Sequence, residues 1–123
     1  MSDWLGYRNK RVIVTGCYSG IGHAAARQLA ELGAEVHGLD WKPCDLPLGS
    51  FTHVDLRDPR GIDAALTGLT GPFDVLFNCA GMPPGGPPLD VMKANFLGPR
   101  LLTERLLPQL REGRRTVATV IDL

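Results

Sequence analysis

Apolar residues along this chain follow two alternating patterns. Short unbroken runs, Arg11 to Thr15 (RVIVT), Glu35 to Asp40 (EVHGLD), Phe51 to Asp55, Asp74 to Cys79 and Thr116 to Ile121 (TVATVI), read as strands of a parallel sheet, whose faces are both covered. Between them apolar residues recur at helical spacing. Ile21, Ala25, Leu29 and Leu32 define the inner face of a first helix, with Ala24 and Ala26 permitting close approach and Gly33 as its stop. Asp58 and Pro59 supply a cap and a first helical residue for a second helix, with Ile62, Ala65, Leu66 and Leu69 inward. Residues 89–110 form one long helical pattern. Met92, Phe96, Leu102, Leu106 and Leu110 lie on one side, and Leu97, Leu101 and Leu107 on another, so contacts on two sides are expected. Residues 41–50 and the MPPGGPP stretch at 82–88 are proline-glycine loops.

Strands that alternate with helices pair in parallel through right-handed crossovers. The expected fold is therefore α/β, a Rossmann-type doubly wound parallel sheet of about five strands in the order 3-2-1-4-5, with residues 1–123 as one nucleotide-binding domain.

Composition narrows the partners. With 123 residues, 44% of them hydrophobic and 21% charged, the chain suits one ordinary globular domain. Its 13 basic and 13 acidic residues cancel, so no basic surface points to nucleic acid or an anionic membrane. The start is polar and every apolar run is much shorter than a membrane span, which makes a cytoplasmic location the expectation. Cys17, Cys44 and Cys79 are far apart and form no CxxC pair, so they are expected to be reduced thiols, with no disulfide and no metal site.

The strongest local motif is TGCYSGIG, Thr15 to Gly22, between the first strand and the first helix. Gly16 allows a tight exit from the strand, Gly20 lets backbone approach a ligand, and Gly22 lets the helix pack on the sheet. Ser19, Gly20, Ile21 and Gly22 then bring the free N–H groups of a helix N-terminus to a pyrophosphate. Asp40 ends the second strand 18 residues after Gly22, where a carboxylate can accept from adenosine ribose hydroxyls and repel a 2′-phosphate. NAD is thus favoured over NADP, although Lys42 and Arg57 leave room for the latter. The plainer alternative is a glycine turn that only joins strand to helix.

Together with TGCYSGIG, Asp55, NCAG at Asn78 to Gly81 and ANFLG at Ala94 to Gly98 resemble the short-chain dehydrogenases/reductases over almost the whole chain. Within them, the short helix and CAGMPP look most like the bacterial 3α-hydroxysteroid dehydrogenase/carbonyl reductase and coniferyl-alcohol dehydrogenase branch. The resemblance implies that Asp55 and Leu56 lie beside the adenine, and that Asn78 braces the sheet. It also implies that Cys79, Ala80 and Gly81 leave space for the nicotinamide ribose, and that Asn95 is the tetrad asparagine that kinks its helix and holds a relay water. Cys79 stands where a second asparagine is more usual. Asp55 capping a turn, and Asn95 as a polar residue merely tolerated in a helix, are the bland alternatives.

Hydride exchange between nicotinamide and an alcohol or ketone also needs a proton donor or acceptor and an oxyanion partner. The family supplies Ser, Tyr and Lys for these tasks. Here Asp122 and Leu123 occupy the positions expected for serines, and no Tyr-x-x-x-Lys occurs anywhere. The chain is expected to be an incomplete, NAD-binding half of such an oxidoreductase, with a non-catalytic dinucleotide-binding module or an inactive truncated chain as the alternative. His23, His37 and His53 are expected to be structural or surface residues. An apolar flank left uncovered on the helix at 89–110 suggests homo-oligomerisation through it.

Overall fold

The computed structural model describes residues 3–110 and 116–119. Five parallel strands form one sheet: β1 (Arg11–Thr15), β2 (Glu35–Asp40), β3 (Ser50–His53), β4 (Val75–Asn78) and β5 (Thr116–Thr119), in the order β3-β2-β1-β4-β5. The expected topology is therefore present, and β3 and β4 are shorter than anticipated at one or both ends. In β5 the expected continuation through Val120 and Ile121, like Asp122 and Leu123, lies outside the described residues. Register places Ile13 of β1 opposite His37 of β2 and Leu76 of β4.

The sheet separates two apolar layers. Val12, Val14 and Val36 join Ala26 and Leu29 of α1 (Gly20–Glu31) on one face. On the other, Ile13, Leu39 and Leu76 meet Ile62 and Leu66 of α2 (Pro59–Thr67) and Leu102 and Leu106 of α4 (Gly98–Leu106). Each fully buried branched side chain is worth about 1.5–3 kcal/mol of transfer free energy, so alternation along β1 couples both layers to one strand. The helix signals act as read. Gly33 takes φ +91°, with its N–H on the Ala30 carbonyl and that of Ala34 on the Leu29 carbonyl, a Schellman stop. Asp58 caps α2 by accepting from the Arg60 amide at 3.1 Å.

Two helical faces differ from expectation. In α1 the buried residues are Gly22, Ala26 and Leu29, while Ile21 is 58% exposed and Ala25 and Leu32 are only partly covered. The cause is the contact at Gly22. A β-carbon there would stand 2.0 Å from the Gly16 carbonyl oxygen, so the helix docks through its smallest residue and turns Ile21 outward.

The long helix at 89–110 is broken. It consists of α3 (Pro88–Met92), a π-helical turn Lys93–Leu97, α4, and a 3-10 turn Leu107–Gln109. Pro99 explains the widening: it has no N–H to give to the Asn95 carbonyl four residues earlier, and its ring crowds that carbonyl. The Gly98 N–H bonds instead to the Lys93 carbonyl, five residues back. Leu102, Leu106 and Leu110 are buried, as expected, but Met92 and Phe96 do not share their face and are exposed, as are Leu89, Leu97 and Leu107. No helix among the described residues is long and apolar enough to cross a membrane.

Candidate functional site

A cleft of about 300 Å³ opens at the carboxyl ends of β1, β2 and β4, where the strand order reverses direction from β1. In open α/β sheets this switch point is where ligands bind. Its walls include Gly16, Ser19, Asp40, Asp55, Leu56, Cys79, Ala80 and Gly81, eight of the residues singled out by sequence. Gly20, Ile21 and Gly22 form the first turn of α1 beside it, and Asn95 lies behind Gly81.

Close backbone packing builds the floor. At Gly16, φ is +75° and a β-carbon would come within 2.7 Å of the Ala80 backbone, so only glycine lets the turn lie against the segment after β4. The Thr15 hydroxyl, fully buried, accepts from the amides of both Cys79 and Ala80 at 3.1 Å. At Gly20, φ is +61° and the space a β-carbon would take is open, which leaves the mouth of the turn accessible.

Asp40 joins the turn to β2. Its Oδ2 accepts from the Tyr18 amide at 2.9 Å and its Oδ1 from the Lys42 amide at 3.1 Å. Asp55, just past β3, accepts from the Arg57 amide and Nε through Oδ1 and from Nη2 through Oδ2, at 2.9–3.1 Å. This pairing holds the Asp55 carboxyl below the usual carboxylate range, the hydrogen bond from the Arg57 side chain being the main cause. Arg57 also reaches Asp90 of α3 at 3.6 Å.

Asn95 makes a two-point clamp on one residue. Its Oδ1 accepts from the Met82 amide at 2.6 Å and its Nδ2 donates to the Met82 carbonyl at 3.0 Å, tying the π-helical turn to the loop after β4. Asn78 is buried, and its Nδ2 donates to Thr103 Oγ1 at 3.0 Å, which links β4 to α4. Its Oδ1 has no partner among the described residues.

Sequence reasoning did not place Tyr18, Trp41 or Met82 in the cleft, yet all three line it. Tyr18 and Trp41 flank the glycine motif and Asp40 directly, so adjacency was the available signal. Lys42 Nζ lies 5.4 Å from the Tyr18 ring centre and 5.0 Å from that of Trp41. Of the histidines, His37 is buried between Ser50 and Glu35, whose Oε2 is 2.7 Å away, and His53 is exposed on β3.

The sequence profile of the short chain dehydrogenase family matches residues 10–122. Among characterised proteins, the chain is 42% identical over 105 residues to coniferyl-alcohol dehydrogenase of Pseudomonas sp., covering 85% of this chain and 41% of that enzyme. It is 28% identical over 112 residues to 3-alpha-hydroxysteroid dehydrogenase/carbonyl reductase of Comamonas testosteroni, covering 90% and 43%. The chain thus spans about two-fifths of the length of these relatives. Among solved structures, a C-terminal deletion mutant of Thermoplasma acidophilum aldohexose dehydrogenase superposes with a TM-score of 0.79 at 23% identity, over 94% of this chain and 51% of that one. The Brucella melitensis 3-ketoacyl-(acyl-carrier-protein) reductase, complexed with NADH, gives 0.69 at 24% identity, over 84% and 51%. A profile match over nearly the whole chain, together with the strand order and the glycine turn, establishes that this protein belongs to the short-chain dehydrogenase family of oxidoreductases.

Proposed function

We propose that residues 1–123 are the NAD-binding domain of an oxidoreductase that moves hydride between nicotinamide and a secondary alcohol or ketone. The observation that carries this reading is the cleft at the switch point, with the glycine turn on one wall and the Asp40 and Asp55 carboxylates on the other. The residues fit a dinucleotide. The first amides of α1 and the open space at Gly20 suit a pyrophosphate, with Ser19 beside them. A carboxylate has about four acceptor positions. Asp40 uses two of them, which leaves capacity for ribose hydroxyls, and Asp55 uses three, which leaves one for an adenine amino group beside Leu56. Cys79, Ala80 and Gly81 keep the opposite end of the cleft free of large side chains.

When bound, nicotinamide supplies the hydride donor or acceptor. The chain's own residues bind and orient: Asp40 selects against a 2′-phosphate by charge, and Asn95 fixes the Met82 backbone at the nicotinamide end. Of the cations that could favour NADP, Arg57 is paired with Asp55 and Asp90, which supports NAD, while Lys42 stands over the Tyr18 and Trp41 rings at the cleft. No Tyr-x-x-x-Lys pair lies within these residues, so proton transfer is assigned to no group in them. The reading includes a cytoplasmic protein that self-associates through the segment 89–110, where Leu89, Met92, Phe96 and Leu97 are exposed.

Calorimetric titration with NADH and NADPH tests the proposal. Weak binding that prefers NADH is expected, and Asp40→Ala should narrow the preference about tenfold, since removing one charge near a phosphate is worth about 1 kcal/mol or slightly more. The absence of both heat and a melting shift at millimolar NADH would overturn it.

A further inference from the structure

The loop between β2 and β3 brings Cys44 and Asp45 against the first turn of α1, and none of the three side chains that meet there lines the dinucleotide cleft. His23, in the first turn of α1, places Nε2 2.8 Å from Asp45 Oδ1. One ligand atom from each of His23, Cys44 and Asp45, an imidazole nitrogen, a sulfur and a carboxylate oxygen, lies within 4.8 Å of the other two. Spacing along the chain does not bring these side chains together; the fold does. The 21 positions between His23 and Asp45 are spanned by most of α1, β2 and a loop that folds back.

We propose that His23, Cys44 and Asp45 form a binding site for a zinc-type divalent cation, with a fourth position open to water. The donors are of three kinds, nitrogen, sulfur and oxygen. That mixture suits zinc and its borderline neighbours, whereas magnesium and calcium require oxygen sets. Zinc holds nitrogen and oxygen at about 2.0–2.2 Å and sulfur at about 2.3 Å, so tetrahedral donors stand about 3.4–3.6 Å apart. The His23–Asp45 contact must open by about 0.7 Å and the widest separation close by about 1.2 Å, both within reach of side-chain rotation. Asp45 has the room to adjust, with 84% of its side chain exposed.

The other two donors are held in advance. His23 is carried by a helix. Cys44 packs with Leu46 and Leu48 against the layer that contains Val12, Val14 and Val36, and the Gly49 amide bonds to the Val36 carbonyl at 2.8 Å. Cys17 lies fully buried in the layer against which Cys44 packs. Cys17 is not among the three side chains whose ligand atoms come together, so it stays in the apolar layer behind the site. A bound ion would tie α1 to the strap that follows Asp40.

Cobalt(II) is the probe, because a thiolate-bound tetrahedral ion gives intense visible and near-ultraviolet absorption. Titration of the full chain, stripped beforehand with a chelator, should saturate at one equivalent and be reversed by zinc. His23→Ala and Cys44→Ser should abolish the absorption and Cys17→Ser should keep it. Asp45→Asn changes only an exposed side chain, leaves folding intact, and should weaken binding at least tenfold. No absorption at excess cobalt, or equal binding by wild type and Asp45→Asn, would overturn the proposal. So would a signal that survives both His23→Ala and Cys44→Ser, since the ion would then sit elsewhere.

Discussion

Gly22→Ala adds one methyl group at the tightest contact of the glycine turn. The new β-carbon would lie 2.0 Å from the Gly16 oxygen, 2.6 Å from its carbonyl carbon and 3.1 Å from the Thr15 oxygen, where ordinary contact begins at 3.4 Å. Backbone must therefore separate by more than 1 Å. Gly16 cannot retreat, because even a β-carbon on it would come within 2.7 Å of the Ala80 backbone, and its amide is bonded to the Leu39 carbonyl at 2.8 Å. Overpacking of this kind costs about 1–3 kcal/mol, and a clash with backbone belongs at the upper end. Alanine regains up to about 1 kcal/mol of helix propensity, so a net loss of about 2 kcal/mol is expected. With a urea slope of about 1.5 kcal/mol/M, the unfolding midpoint should fall by about 1.3 M. Gly20→Ala is the control. There the methyl enters open space, and only a positive φ of +61° opposes it, a strain of about 1–2 kcal/mol partly offset by the stiffer unfolded chain. Its midpoint should fall by roughly half as much or less. Urea melts followed by circular dichroism decide the matter: a Gly22→Ala midpoint at or above that of Gly20→Ala would refute the contact argument.

Two further outcomes follow from side chains in the cleft. Asn95→Ala should speed hydrogen exchange at the Met82 amide and lower stability by about 1 kcal/mol, since two hydrogen bonds are lost at a site that water reaches; unchanged Met82 exchange by NMR would contradict the clamp. Asp55 has a folded-state pKa below its unfolded value, so its contribution is fully present above an ordinary carboxylate pKa of about 3.9 and disappears as pH falls through the lower folded value. The stability gap between wild type and Asp55→Asn should accordingly stay constant above an ordinary carboxylate pKa of about 3.9 and shrink as pH falls below it, and a gap unchanged by that acidification would exclude the Arg57 pairing as its source.

Strand order and core were legible because a parallel sheet buries both faces, so runs such as RVIVT stand out, and because the turn and cap residues Gly33 and Asp58 act locally. The inner face of α1 was misread for a physical reason. Periodicity assigns a face to large apolar residues, whereas Gly22 docks by having no side chain and turns Ile21 to solvent. The break at Lys93–Leu97 was only half legible. The family resemblance implied a kink at Asn95, but Pro99, four residues later, was the stronger physical signal. In the cleft, residues within a motif were found, while partners set by loop path were not: the bridge from Arg57 to Asp90 and the meeting of His23 with Cys44 and Asp45 depend on where the chain turns.

The exposed apolar side chains of residues 89–97 also govern how the protein behaves in concentrated solution. Leu89, Met92, Phe96 and Leu97 form a sticky stretch on a molecule whose formal charge at pH 7 is zero, so colliding copies meet little electrostatic repulsion. Solubility should pass through a minimum near neutral pH and recover at either more acidic or more alkaline pH, where net charge restores repulsion between copies.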